Sequence, residues 1–120
     1  MKPKRFYLDY LRDILENLDK AQDFVAGVSK AQLQENVEKL YAVIRALEVI
    51  GEAGKHIPPF VRKRYPKVPW TKMAKMRSEL IHEYFGVDFE VLWKTLHQDL
   101  PPVRDAVARI LRELEQAPKD

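Results

Sequence analysis

An all-α fold, a bundle of about four to five helices, is predicted by three observations. Apolar residues recur at helical spacing along most of the chain, no segment shows sustained strand alternation, and Gly, Pro or capping residues separate the periodic stretches. The 120 residues fit a single helical domain spanning 1–120, and 46% hydrophobic content is enough for a core. There are no internal repeats and no low-complexity segments.

The first helix is predicted from about Arg5 to Val25, where Tyr7, Leu11, Ile14, Leu18, Ala21 and Val25 keep one stripe and Gly27 ends it. Ser29-Lys-Ala-Gln32 has the form of a capping box. It opens a second helix with Leu33, Val37, Leu40, Ile44, Leu47 and Gly51 along one side. Gly51 and Gly54 lie one turn apart, which either admits another helix closely or marks fraying toward Pro58. Pro58-Pro59, Pro66 and Pro69 break regular structure and leave room for a short helical turn between them. A further helix is expected from Pro69 to Phe85. Asp88 is the expected cap of the next, with Phe89, Leu92, Trp93 and Leu96 inward, ending before Pro101-Pro102. The last helix carries Val103, Val107, Ile110, Leu111 and Leu114.

Composition excludes several classes. With no Cys there is no disulfide framework, thiolate metal site or cysteine nucleophile. His56, His82 and His97 are too scattered for a metal site. Gly51-Glu-Ala-Gly54-Lys55-His56 lacks the upstream Gly and following Ser or Thr of a phosphate-binding loop, and Gly86 stands where a zinc-protease motif beginning at His82-Glu83 needs its second His. No cofactor is expected. Neither a membrane-length apolar run nor a signal-peptide core is present, so a cytoplasmic protein with no membrane partner is expected. The aromatic set Phe89 and Trp93, with Leu96, is read as core.

Charge is distributed unevenly about a net +3. Between Ala53 and Ser78 there is no Asp or Glu, while Lys55, Arg62, Lys63, Arg64, Lys67, Lys72, Lys75 and Arg77 all fall there. Of the 21 Lys and Arg, the rest of the chain holds 13, against 18 acidic residues. A basic stretch that also carries Tyr65 and Trp70 suits a polyanion such as RNA, with Lys63, Lys67, Lys72 and Lys75 as candidate phosphate contacts. Mere solvation of a basic loop is the alternative.

One residue violates the helical pattern. At about 100° per residue, Trp70, Met73, Ala74, Leu80, Ile81 and Tyr84 all fall within roughly 60° of Arg77, putting a guanidinium in the middle of an apolar stripe. Such a charge costs several kcal/mol unless it is paired or lines a polar cavity, and violations of this kind concentrate at functional sites. Snorkelling, or pairing with a core carboxylate, is the alternative. His82 lies about 140° around the same helix, so one straight helix does not aim both side chains at one point. Irregular backbone near Gly86 would bring them together, as would two chains facing each other across a two-fold axis; the second is preferred.

Arg77-x4-His82-x-Tyr84 resembles the Arg-x4-His-x-Tyr signature of HepT-like toxins, a branch of the HEPN (higher eukaryote and prokaryote nucleotide-binding) superfamily. Supporting pieces are Leu47-Glu-Val-Ile-Gly-Glu-Ala53, Tyr65-Pro-Lys-Val-Pro-Trp70, His82-Glu-Tyr-Phe85 and Asp99-Leu-Pro101, so the similarity covers roughly Arg5 to Leu114. The resemblance implies a HEPN-like helical bundle forming a two-fold homodimer, with the Arg and His of both chains lining one cleft. It implies a metal-independent endoribonuclease, the toxin of a type VII-like pair. The antitoxin partner would be a minimal nucleotidyltransferase (MNT), which in this family transfers AMP from ATP to the motif tyrosine, here Tyr84. In this superfamily Asn often follows the motif Arg. Here Ser78 does, keeping a hydrogen-bonding group with shorter reach, which bears on phosphate positioning and rate.

The residue types suit RNA cleavage. RNA carries its own nucleophile, the 2′-hydroxyl, so the enzyme must remove its proton, stabilise charge on phosphorus and protonate the leaving oxygen. His82 is the expected proton-transfer group and Arg77 the expected donor to the non-bridging oxygens, with Ser78 supporting. Tyr84 read from spacing alone is a core aromatic; with the resemblance it is the modification site. Two other functions fit the same residues: a non-catalytic helical partner of a nucleotidyltransferase, and an RNA-binding module without turnover.

Overall fold

The computed structural model describes residues 4–76 and 89–116, whose regular elements are all helices, with no strand among them. Arg77, Ser78, His82 and Tyr84, with Gly86 and the expected cap Asp88, lie outside the described residues.

Helix α1 (Lys4–Val25) is the spine. Leu11, Ile14, Leu18 and Ala21 on its stripe are fully excluded from solvent, as the periodicity requires. Gly27 follows with φ +71°, a left-handed conformation that reverses the chain. The capping box then forms on both sides: the Gln32 N–H donates to Ser29 Oγ at 3.1 Å, and the Ser29 N–H donates to Gln32 Oε1 at 2.9 Å.

The helix it opens is short. α2 (Lys30–Glu35) stops at Asn36, and α3 (Val37–Gly54) begins there, where one continuous helix was expected. Asn36 does both jobs. Its N–H closes α2 on the Leu33 carbonyl, and its side chain accepts from the Lys39 N–H at 3.0 Å. Val37, expected inward, is 60% exposed because it starts the new helix and no longer shares the phase of Leu33. The buried face of α3 is Leu40, Val43, Ala46, Leu47, Ile50, Gly51, Ala53 and Gly54, laid along α1. Each fully buried Leu or Ile contributes about 1.5–3 kcal/mol.

Between the prolines lies α4 (Pro59–Arg64), with Pro59 in the first turn where an N–H is dispensable. Helix α5 (Trp70–Ala74) crosses the end of α3. A Cβ on Gly54 would stand 3.5 Å from Met73 Cγ and 3.6 Å from the Ala74 backbone, ordinary van der Waals contact, so Gly54 lies where α5 packs on the helical end of α3 with room for a methyl group but little more. Within the helix expected from Pro69 to Phe85, α5 ends in a turn at Lys75, whose N–H bonds to the Thr71 and Met73 carbonyls at φ −86°, ψ −6°; residues 77–85 of that expectation lie outside the described residues. Trp70 and Met73 are buried as expected, and the chain is helical again at Met76. No Gly or Pro stands between Thr71 and Met76 to signal the turn; the residues just before it are those seated against Gly54.

The last two expected helices are one. Helix α6 (Phe89–Lys94) passes through a single widened turn, Thr95–Asp99, into α7 (Leu100–Gln116) without ending at Pro101-Pro102. In the widened turn the Leu100 N–H reaches back five residues to the Thr95 carbonyl. That geometry answers the prolines: a proline ring collides with the carbonyl four residues earlier in a regular helix, and the expanded turn moves those carbonyls away. Leu92, Leu96, Val107, Ile110, Leu111 and Leu114 face the core, and α7 packs on α1, where Arg104 holds Asp19 at 2.7 Å. Among the described residues no helix is long and apolar enough to cross a membrane.

Candidate functional site

The basic, acid-free segment is pinned at one aromatic corner. Trp70 donates through Nε1 to the Tyr65 carbonyl at 2.9 Å, and the Trp70 N–H bonds to the Val68 carbonyl at 2.8 Å, fixing the Tyr65-Pro-Lys-Val-Pro-Trp70 loop to the start of α5. The Tyr65 hydroxyl donates to Glu113 of α7 at 3.2 Å, and the Arg64 guanidinium stands 5.5 Å over the Tyr65 ring. Burial raises the Tyr65 hydroxyl above its ordinary pKa; Arg64 opposes the shift and Glu113 adds to it. Arg62 turns back to cap the Ile57 carbonyl at 2.9 Å, so this cation is engaged structurally.

Beside this corner lies a groove of about 670 Å³. One wall is the loop and α5, with Lys67, Val68, Lys72 and Met73; the other is α6, the widened turn and the start of α7, with Thr95, Gln98, Asp99 and Leu100. Met76, the residue preceding Arg77, also lines it and is half-buried. Of the four lysines expected to meet phosphate, the fold brings Lys67 and Lys72 to this groove and leaves Lys63, on α4, and Lys75, at the end of α5, exposed elsewhere. None of the four makes an ion pair among the described residues.

The other described histidines have neighbours of their own. His56 stacks on Tyr10 with ring centres 4.6 Å apart, and His97 stacks on Trp93 at 3.8 Å with Nδ1 3.1 Å from the Trp93 carbonyl. Reading by residue type passed over Thr95 and Gln98, and took Asp99 only as a piece of the resemblance. The available signal was Asp99-Leu100-Pro101-Pro102 itself: two prolines inside an otherwise unbroken apolar period announce a modified turn.

Three separated stretches thus converge around α5: the end of α3 beneath it, the Tyr65–Trp70 loop before it, and Asp99-Leu100 across the groove. They are the pieces that carried the resemblance outside the Arg-His-Tyr stretch, brought together on an all-helical scaffold. The family described as "Ribonuclease HepT-like" matches residues 14–110, and the chain belongs to that family. It is 45% identical over 101 residues to the "Probable ribonuclease HepT" of Thermococcus cleftensis, a match covering 84% of this chain and 92% of the relative. Two Methanocaldococcus jannaschii proteins, each bearing the name "Putative RNase", are 40% identical over 113 and 114 residues, covering 94% and 95% of this chain and 93% and 98% of theirs. No solved structure matches the chain.

Proposed function

We propose that this chain, as one domain over residues 1–120, is a metal-independent endoribonuclease toxin, restrained by a nucleotidyltransferase antitoxin of the MNT type. The observation that carries this reading is the convergence just described: in a HepT-like family member, two lysines with no ion pair among the described residues and Asp99 line a groove that Met76 enters immediately before Arg77.

RNA supplies the nucleophile. The 2′-oxygen forms a bond to phosphorus as the bond from phosphorus to the 5′-oxygen breaks; His82 serves the proton transfers, as base, acid or both through its dimer mate. Arg77, always charged, holds the non-bridging oxygens while negative charge accumulates, and Ser78 supports that phosphate. The products are a 2′,3′-cyclic phosphate and a 5′-hydroxyl. No step requires a metal-activated water, because the attacking hydroxyl is already positioned on the substrate. Arg77 and His82 meet by facing each other across a two-fold axis in a homodimer. Silencing proceeds at Tyr84: its hydroxyl oxygen bonds to the α-phosphorus of ATP, pyrophosphate leaves, and the attached AMP opposes RNA by charge and by volume. The setting is cytoplasmic, where RNA and ATP are both at hand.

The test is cleavage of a defined RNA in the presence of chelator by wild-type, Arg77→Ala and His82→Ala proteins, with product ends analysed and folding checked by thermal melting. Cyclic-phosphate ends from wild type alone are expected. Equal cleavage by all three proteins, or strict dependence on added divalent metal, overturns the mechanism. Absence of cleavage by unmodified wild type across several RNA classes would transfer the role to a non-catalytic partner of the nucleotidyltransferase.

A further inference from the structure

The groove beside α5 has a mixed character that the cleavage chemistry does not use. Its floor is apolar, formed by Met73, Met76 and Val103, while its rim carries Lys67 and Lys72 on one side and Thr95 and Asp99 on the other. At about 670 Å³ it falls within the range of small-ligand sites, roughly 300–1,000 Å³.

The rim groups are specific in what they offer. Thr95 donates its hydroxyl hydrogen to the Val91 carbonyl at 2.8 Å, so toward the groove its oxygen is an acceptor. Asp99 uses Oδ1 for Lys94 at 3.4 Å, which leaves Oδ2 to accept from an incoming donor. Lys67 and Lys72 project from a stretch free of Asp and Glu and are unpaired among the described residues. An apolar floor, two cations at one edge and two acceptors at the other complement one nucleotide of an RNA strand: base face, flanking phosphates and base-edge donors.

We infer that this groove is a nucleobase subsite for the RNA strand, with Asp99 selecting bases that carry an exocyclic amino group. The inference rests on the ribonuclease reading and extends it to specificity. Cytosine and adenine present an amino hydrogen to a carboxylate, whereas uracil presents a carbonyl oxygen at the corresponding edge and is repelled. The flanking phosphates settle on Lys67 and Lys72, which position the strand without reading its sequence. A protein surface or a second copy of the chain seated here would have to supply acidic partners for those lysines; a polyanion brings them in every residue.

Fluorescent 2′-O-methyl pentamers of A, C and U lack the nucleophilic hydroxyl and therefore report binding without cleavage. Their anisotropy with the wild-type protein, with Asp99→Asn and with a Lys67→Ala, Lys72→Ala double variant, across a salt series, tests the subsite. The A and C pentamers should bind roughly tenfold more tightly than U, the scale of one good base-edge contact. Asp99→Asn, near-isosteric but able to donate, should abolish most of that gap. The double variant should weaken all three pentamers alike and lower the salt slope by about 0.7 per lysine removed. Equal binding of the three pentamers, an unchanged ranking in Asp99→Asn, or variants that alter molecular mass by light scattering while leaving the ranking intact, would each overturn the subsite. If His82-dependent cleavage of natural RNA persisted in that case, the ribonuclease reading would stand without it; no binding and no cleavage would remove both.

Discussion

Two glycines do opposite things in this chain. Gly27 has φ +71° with nothing within 4 Å of where a Cβ would stand, so its constraint is purely in the backbone. Replacing it with Ala forces an L residue into the left-handed region at a cost of about 1–2 kcal/mol. Gly27→Ala should therefore lower stability by that amount in chemical denaturation with an unchanged denaturant slope; no loss would mean the turn re-forms in another conformation. Charge anomalies are also legible at this scale. Arg77 stands out because its neighbours in sequence are apolar at helical spacing, and that reading belongs to the residue.

Elements are where periodicity reads well and boundaries read poorly. From Leu11 to Val25 the stripe of α1 is buried, with Tyr7 partly buried at its start, and the Ser29–Gln32 box forms as written, because both depend only on neighbours within a turn or so. The break at Asn36 escaped because an apolar period ran through it. The join of α6 and α7 escaped because prolines ordinarily end helices, and a widened turn lets this one continue. Gly54 marks where α5 packs against α3. Its hypothetical Cβ makes only ordinary contacts at 3.5–3.6 Å, so Gly54→Ala should be neutral or stabilising by up to about 1 kcal/mol through helix propensity. Gly54→Leu has no such room and should lift α5 from α3, lowering the melting temperature and RNA affinity together. A Leu variant as stable as wild type would show that the approach of α5 is not limiting.

For the ribonuclease proposed above, the question at the scale of the whole molecule is whether Arg77 and His82 act within one chain or across two. Mixed dimers answer it. Arg77→Ala and His82→Ala proteins, each inactive alone, should recover part of the cleavage when unfolded together and refolded, because a two-chain cleft then holds one intact Arg-His pair. If the pair acts within a chain, no mixed dimer contains one, and activity should stay at the level of the single variants.

The all-α class, the long first helix, the capping box, the basic acid-free stretch and the family signature were all determined by the sequence by itself. Each rests on covalent order and short-range geometry: spacing around a helix, a side chain reaching its own backbone, charges counted along a segment. Tertiary structure alone decided that Lys67 and Lys72, but not Lys63 and Lys75, share a groove with Asp99, and that α5 packs beside Gly54. These are contacts between residues far apart in the chain. They depend on how helices stack and where turns redirect them, and the single widened turn at Thr95–Asp99 changes which side chains meet.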